Sequence, residues 1–226
     1  MNETTENPST DKPKSRRRAP AESNLPVLEK LAELFPRLFG AQFLPLKRGI
    51  FQDLQLAHPD AFTTDALKSA LSQHTRSTRY LSAVAQGLER HDLQGEPVEA
   101  MAPEHVHHAL LEVFRRRQAR NSQDMRPTLR RRMVQAFEQS GLTPDAYAAL
   151  VRSRDEGSNL LLEEALTEAR AGAARDEALL RAFESAAHSV DAFADMYGMD
   201  AGSAGLALER ARRARVAATP APSASD

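Results

Sequence analysis

At 226 residues the chain is long enough for one or two domains. It has no cysteine, which excludes a disulfide framework and a thiolate zinc site and makes a reducing cytoplasm the expected setting. Net charge is −1, but the charges are segregated, and it is local potential that draws a polyanion. Lys12-Pro13-Lys14-Ser15-Arg16-Arg17-Arg18 is a basic tail, and Arg115 to Arg132 holds eight arginines against one acid, Asp124. Between Phe137 and Glu209 the balance reverses to 14 acids against five arginines.

Met1–Ala21 is polar, without the apolar core of a secretory signal, and no apolar run approaches the roughly 20 residues of a membrane span. A protein confined to the cytoplasm, without a membrane partner, is expected. The tail over 1–24 has almost nothing to bury and is expected to be disordered, serving either as a solubilising tail or as extra non-specific affinity for a polyanion.

Ser23 or Asn24 can cap a first helix with Pro26 in its opening turn, followed by an apolar stripe at Leu25, Leu28, Leu31, Leu34, Phe35 and Leu38. Pro36 ends or bends that helix, and Gly40 marks a turn. Ile50, Phe51 and Leu54 open a short helix, and Thr64 caps the next, with Ala66, Leu67, Ala70 and Leu71 inward and Lys68 and Ser72 on the more exposed face. Thr75 or Ser77 can cap a further helix carrying Tyr80, Leu81 and Val84 to a stop at Gly87. The free amides of its first turn, beside Arg76 and Arg79, suit a phosphate; ordinary helix capping accounts for the same hydroxyls.

Gln94-Gly95 is a tight turn between two very short strands, the second confined to an edge by Pro97. Pro103 opens a helix through Val106, Ala109, Leu110, Val113 and Phe114. Its histidines, His105, His107 and His108, lack the His-Glu-x-x-His pattern of a metal site and read as polar residues of the helix face. No metal or cofactor is expected.

The C-terminal half repeats itself. A shift of 46 places Val134-Gln135-Ala136-Phe137-Glu138 over Leu180-Arg181-Ala182-Phe183-Glu184, and Thr143-Pro144-Asp145-Ala146-Tyr147 over Ser189-Val190-Asp191-Ala192-Phe193. It also places Leu160 and Leu162 over Leu206 and Leu208. Each unit reads as a helix, a turn near Gly141 or Ala187, a capped short helix, a loop at Gly157 or Gly202, and a longer helix. The chain thus divides into a tail over 1–24, a domain over 25–121, a helical extension over 122–216 and a disordered end over 217–226. The fold class is mainly α: a compact helical domain with a small β-hairpin, then the repeat.

Several of these segments, in order, resemble the ProQ/FinO family of bacterial RNA chaperones. They are Pro45-Leu46-Lys47-Arg48-Gly49-Ile50-Phe51-Gln52-Asp53-Leu54, Ser69-Ala70-Leu71, Thr75-Arg76-Ser77-Thr78-Arg79-Tyr80-Leu81, and Gly87 through Arg90, Asp92, Leu93 and Gly95. Glu104-His105-Val106 with His108-Ala109 completes them, over roughly Leu25–Arg120. The resemblance implies a concave face that binds stem–loops ending in a short single-stranded 3′ tail, as in small regulatory RNAs and messenger 3′ terminator hairpins. It implies that Lys47, Lys68, Arg79, Tyr80 and Arg90 contact RNA, with Thr75 and Ser77 at the helix start. Ser72 and His74 stand where some relatives carry a basic residue and a tyrosine, and Arg48 and Arg76 are read as compensating cations.

Two further readings compete. The repeat over 122–216 can act as a scaffold for a protein partner or for self-association. A hydrolytic enzyme finds no nucleophile–base constellation, phosphate-cradling glycine loop or close carboxylate pair in the sequence.

Overall fold

The computed structural model describes residues 23–186 and 189–218. In chain order the elements are α1 Leu25–Leu34, α2 Pro36–Phe39, α3 Ile50–Ala57, α4 Thr64–Thr75, α5 Thr78–Val84, β1 Arg90–His91 and β2 Pro97–Glu99. They continue as α6 Pro103–Gln118, α7 Arg126–Ser140, α8 Pro144–Val151, α9 Glu156–Ala186, α10 Val190–Tyr197 and α11 Ala201–Ala218. The fold is therefore mainly helical with one small hairpin. Among the described residues, no helix is long and apolar enough to cross a membrane.

The expected tails fall almost wholly outside the described residues. Of the first, Ser23 accepts the Leu25 amide on its hydroxyl at 3.3 Å, and Asn24 donates its side-chain amide to Gln73 at 2.7 Å instead of capping α1. Of the second, Ala217 and Ala218 are helical, the last turn of α11, and not part of a tail.

Proline and hydroxyl residues set most boundaries. Pro36 has no amide to continue α1 and starts α2 instead. The cap of α4 is Thr63, not Thr64: its Oγ1 accepts the Ala66 amide at 3.3 Å, and Thr64 is the first helical residue. The hairpin turn is wider than Gln94-Gly95. Asp92 O accepts from the Gly95 amide at 3.0 Å, and the Asp92 carboxylate takes the amides of Gln94 and Glu96. Gly95 sits at φ +76°, and a Cβ there would stand 2.9 Å from that of Arg37, whose guanidinium clasps Gln94 O and Glu96 across the turn. Only glycine fits, for backbone and space together.

One apolar cluster gathers Leu31, Leu38, Leu54, Leu67, Val84 and Leu110, and it runs on past position 121 through Leu129, Met133 and Ala136 of α7 to Ala165 of α9. The joint is closed by His107, which is buried at 3% exposure with Nδ1 3.4 Å from the Tyr147 hydroxyl of α8. His107 is thus an interior residue and not a polar face residue; burial, with His108 adding repulsion, lowers its pKa to about 4.

The repeat is visible as geometry. Thr143 and Ser189 cap α8 and α10 through the amides of Ala146 and Ala192, each at 3.3 Å. Phe137 meets Tyr147 edge-on at 5.5 Å, and Phe183 meets Phe193 at 5.4 Å. Gly157 and Gly202 are not loops but lie in the first turns of α9 and α11, because Asp155 and Asp200 just upstream supply the capping carboxylates. Nor does the first unit's long helix end between the units: α9, 31 residues long, continues into the first helix of the second. The turn expected near Ala187 lies outside the described residues.

Because Met133 is fully buried in the cluster shared by α7 and the N-terminal helices, Met133→Ala should cost about 2–5 kcal/mol. Urea unfolding should show that loss in one transition shared by both halves of the chain; two separated transitions with only the later one shifted would contradict it.

Candidate nucleic-acid interface

Residues 45–47 run beside the hairpin: Leu46 bridges to His91, the His91 amide donates to Pro45 O at 2.8 Å, and the Lys47 amide to His91 O at 2.9 Å. The backbone of Leu46 is held through both its polar groups. Its amide donates to the Tyr80 hydroxyl at 3.0 Å, and its carbonyl accepts from Arg90 at 3.0 Å. Two side chains expected to reach for RNA are thus committed to one buried backbone unit.

Tyr80 is only 6% exposed, with its ring 5.3 Å from that of His74. The resemblance implies an RNA contact for Tyr80, yet at that burial its ring offers no open face for a base to stack on. A large ring with one polar tip packs well in a core when the hydroxyl finds a partner, and Leu46 supplies it. Burial raises the phenol's pKa. The Arg90 side chain is 15% exposed, 3.3 Å from His105 Nδ1 and 3.7 Å from Glu99, which leaves little of it to meet a phosphate.

The same carboxylate orders Arg48, accepting its backbone amide at 3.0 Å with its Nε at 3.6 Å, while the Arg48 head stays exposed. Lys47 reaches Asp53 at 2.8 Å, and that hydrogen bond raises its pKa. Lys47, Arg48 and Arg90 therefore share one corner with Asp53 and Glu99.

The α4–α5 corner is the other half. Thr75 is the last residue of α4 and donates its hydroxyl back to Leu71 O at 2.9 Å, whereas Ser77 caps α5 through the Tyr80 amide at 3.1 Å. The amides of Thr78 and Arg79 in that first turn have no intrahelical acceptor. Arg76 folds its Nε onto Ser72 O at 3.0 Å, and Arg79 donates to Ala41 O while lying 4.5 Å over the Phe43 ring. Lys68 projects from α4 over Phe51 at 5.5 Å, about 12 Å along the helix from Arg76. Among the described residues no carboxylate lies within ion-pair reach of Lys68, Arg76 or Arg79, and all three are exposed. The Tyr80–Leu46 hydrogen bond ties this corner to the hairpin side.

Two contributors, Arg116 and Phe43, were not legible as site residues, and the surroundings of a third, His74, were not legible either. Arg116 crosses from α6 to donate to Arg76 O at 2.8 Å and Thr78 Oγ1 at 3.1 Å; helical spacing put it in a run of arginines but could not say which one turned inward. Phe43 carries Arg79. His74, 3% exposed, lies between Phe39 at 4.7 Å and Phe43 at 4.3 Å, its Nε2 buried without a partner. Burial, helped by Arg79, lowers its pKa to about 4.

A family model described as the ProQ/FINO family matches residues 21–126. RNA chaperone ProQ of Histophilus somni (strain 2336) is 41% identical over 91 residues, 38% of this chain and 43% of that protein. RNA chaperone ProQ of Aeromonas salmonicida (strain A449) is 44% identical over 87 residues, 37% of this chain and 41% of that protein. Among solved structures, the NMR solution structure of a ProQ homolog from Legionella pneumophila is 34% identical, covering 47% of this chain and 93% of that one, with a TM-score of 0.37. The chain spans less than half the length of these curated relatives.

A histidine that is neutral in the fold but free to protonate when unfolded stabilises fully above its ordinary pKa near 6.5, and that contribution is lost as pH falls toward about 4. Stability should therefore decline between pH 6.5 and 4, by up to ~1.4 kcal/mol per pH unit for each of His74 and His107. His74→Phe should lower the slope of the urea midpoint against pH by roughly one histidine's share. An unchanged slope would contradict this.

Proposed function

We propose, from the match of residues 21–126 to the ProQ/FINO family and the likeness to RNA chaperone ProQ over that stretch, that the chain is an RNA chaperone of this family. It binds stem–loops followed by a short single-stranded 3′ tail, among them small regulatory RNAs and messenger 3′ ends, stabilises them and promotes pairing between RNAs. RNA binding is assigned to 25–121. The observation that carries the reading is the exposed triad Lys68, Arg76 and Arg79, free of carboxylates, beside a helix start held by Ser77. An A-form stem offers phosphates and 2′-hydroxyls more readily than base edges, so such cations recognise it by shape and charge. Lys47 and Arg48 extend the contact toward the hairpin, each tempered by a carboxylate. Tyr80 and Arg90 act by fixing the Leu46 backbone that carries Lys47 and Arg48.

Replacing Lys68, Arg76 or Arg79 singly by Ala should weaken binding to a terminator hairpin and reduce the salt slope by about 0.7–0.9 per phosphate lost. Tyr80→Phe keeps the ring but strands the Leu46 amide, costing about 1–3 kcal/mol of stability and lowering affinity with it. Parent-like affinity and salt slope in the three cation variants, all folded, would refute the reading.

A second reading, protein docking or self-association along 122–216, has its own observation. Leu160 and Leu206, equivalent in the two units, are 67% and 58% exposed. Leu160→Glu with Leu206→Glu should leave hairpin binding intact and lower the sedimenting mass if the chain self-associates through them; an unchanged mass removes self-association on this face.

A further inference from the structure

Between α5, α6 and α7 lies a cleft of about 360 Å³ that the 3′-tail reading leaves unused. Its floor is apolar, with Val113, Phe114 and Leu129; Ser82 stands at one side, and Arg117 and Arg132 at the rim. No acidic side chain lines it. Both arginines are exposed, and no carboxylate or carbonyl among the described residues engages them. This contrasts with Arg115, held by Glu112 and Asp155, and Arg130, held by Glu164 and Glu168. An apolar slot with an aromatic wall and two unopposed cations is chemically matched to a flat body carrying a single anionic group.

Resting on the RNA-binding reading above, we propose that this cleft is a second RNA subsite, taking one unpaired nucleotide from the 5′ flank of the bound stem. The base enters against Phe114, and its phosphate lies between Arg117 and Arg132. The position supports this. Arg116, the neighbour of Arg117, is itself pinned to Arg76 O and Thr78 at the α4–α5 corner. The seven residues of α5 carry the surface about 10 Å from that corner to the cleft, the span of about three stacked nucleotides. With the 3′ tail held at the corner, the 5′ strand is the other strand leaving the base of the stem. The α7 residues of the cleft, Thr128, Leu129 and Arg132, lie beyond residue 126, outside the family match, so the extension supplies one wall of the subsite.

The test uses the full chain and two hairpin RNAs with the same stem and 3′ uridine tail, one of which also carries unpaired nucleotides 5′ of the stem. The parent should bind the flanked RNA about tenfold more tightly, with a salt slope steeper by about 0.7. Arg117→Ala with Arg132→Ala, which touches no partner, should abolish that difference while leaving the trimmed RNA bound as before. Thr128→Trp, which plugs the cleft from its exposed rim without changing charge, should do the same. A 4-thiouridine in the flank should crosslink to peptides of α6 and α7. Equal affinity of the parent for the two RNAs, or a preference that survives both variants, overturns the proposal. Failure of the parent to bind either RNA would instead sink the RNA-binding reading on which it rests.

Discussion

The backbone of a single residue, Leu46, holds the candidate interface in shape. Its amide and carbonyl are removed from water and must find partners inside the protein. They find them in the Tyr80 hydroxyl and the Arg90 guanidinium, which come from a helix and a strand on opposite sides. Residues 45–47, α5 and the hairpin are thereby fixed relative to one another at the cost of two side chains that a sequence pattern assigns to the ligand. The flanking residues Lys47 and Arg48 then project from a rigid backbone. Loss of either partner would leave a buried polar group unsatisfied, a penalty larger than the net worth of the hydrogen bond itself.

Local chemistry wrote most of the fold legibly. Apolar spacing marked α1, α4 and α6, a hydroxyl at Thr75 or Ser77 announced the start of α5, and a 46-residue shift exposed two units whose caps, Thr143 and Ser189, make the same bond. The misreadings came where a neighbour decided. Thr63 won the cap from Thr64 because the chain leaves the extended conformation one residue earlier. The helix pattern makes His107 a polar face residue and the family resemblance makes Tyr80 an RNA contact, yet both are interior, since an amphipathic ring is read correctly only when what covers it is known: Leu46 for Tyr80, Tyr147 from forty residues away for His107.

The repeat shows a further rule that composition hides. Arg130 of α7 pairs with Glu164 and Glu168 of α9; at the positions 46 residues later, Asp176 pairs with Arg210, so the sign of each partner is inverted while the contact is kept. Complementarity across the helix pair, not the identity of either charge, is what the packing requires. Exposed pairs of this kind add little stability, about 0–1 kcal/mol each. The apolar cluster that continues from the N-terminal helices through Met133 to Ala165 contributes far more, and it makes α7 as much a wall of the first half as the start of the second.

That division of labour explains how a chain of net charge −1 can present a surface for a polyanion. Acids of α6, of α9 and of the turn before it are spent on particular arginines: Glu112 and Asp155 hold Arg115, Glu164 and Glu168 hold Arg130, and Asp176 holds Arg210. Among the cations that no carboxylate holds, Lys68, Arg76 and Arg79 stand at the α4–α5 corner and Arg117 and Arg132 at the neighbouring cleft, with the pinned Arg116 between them. Salt screens exposed charges beyond roughly 8–10 Å, so a phosphate at that edge responds to the unpaired guanidinium beside it and hardly to carboxylates already neutralised on the far helices. The eight arginines between 115 and 132 are therefore not one patch. Tertiary pairing divides them into a structural set and a free set, and the free set is where the field for a ligand arises.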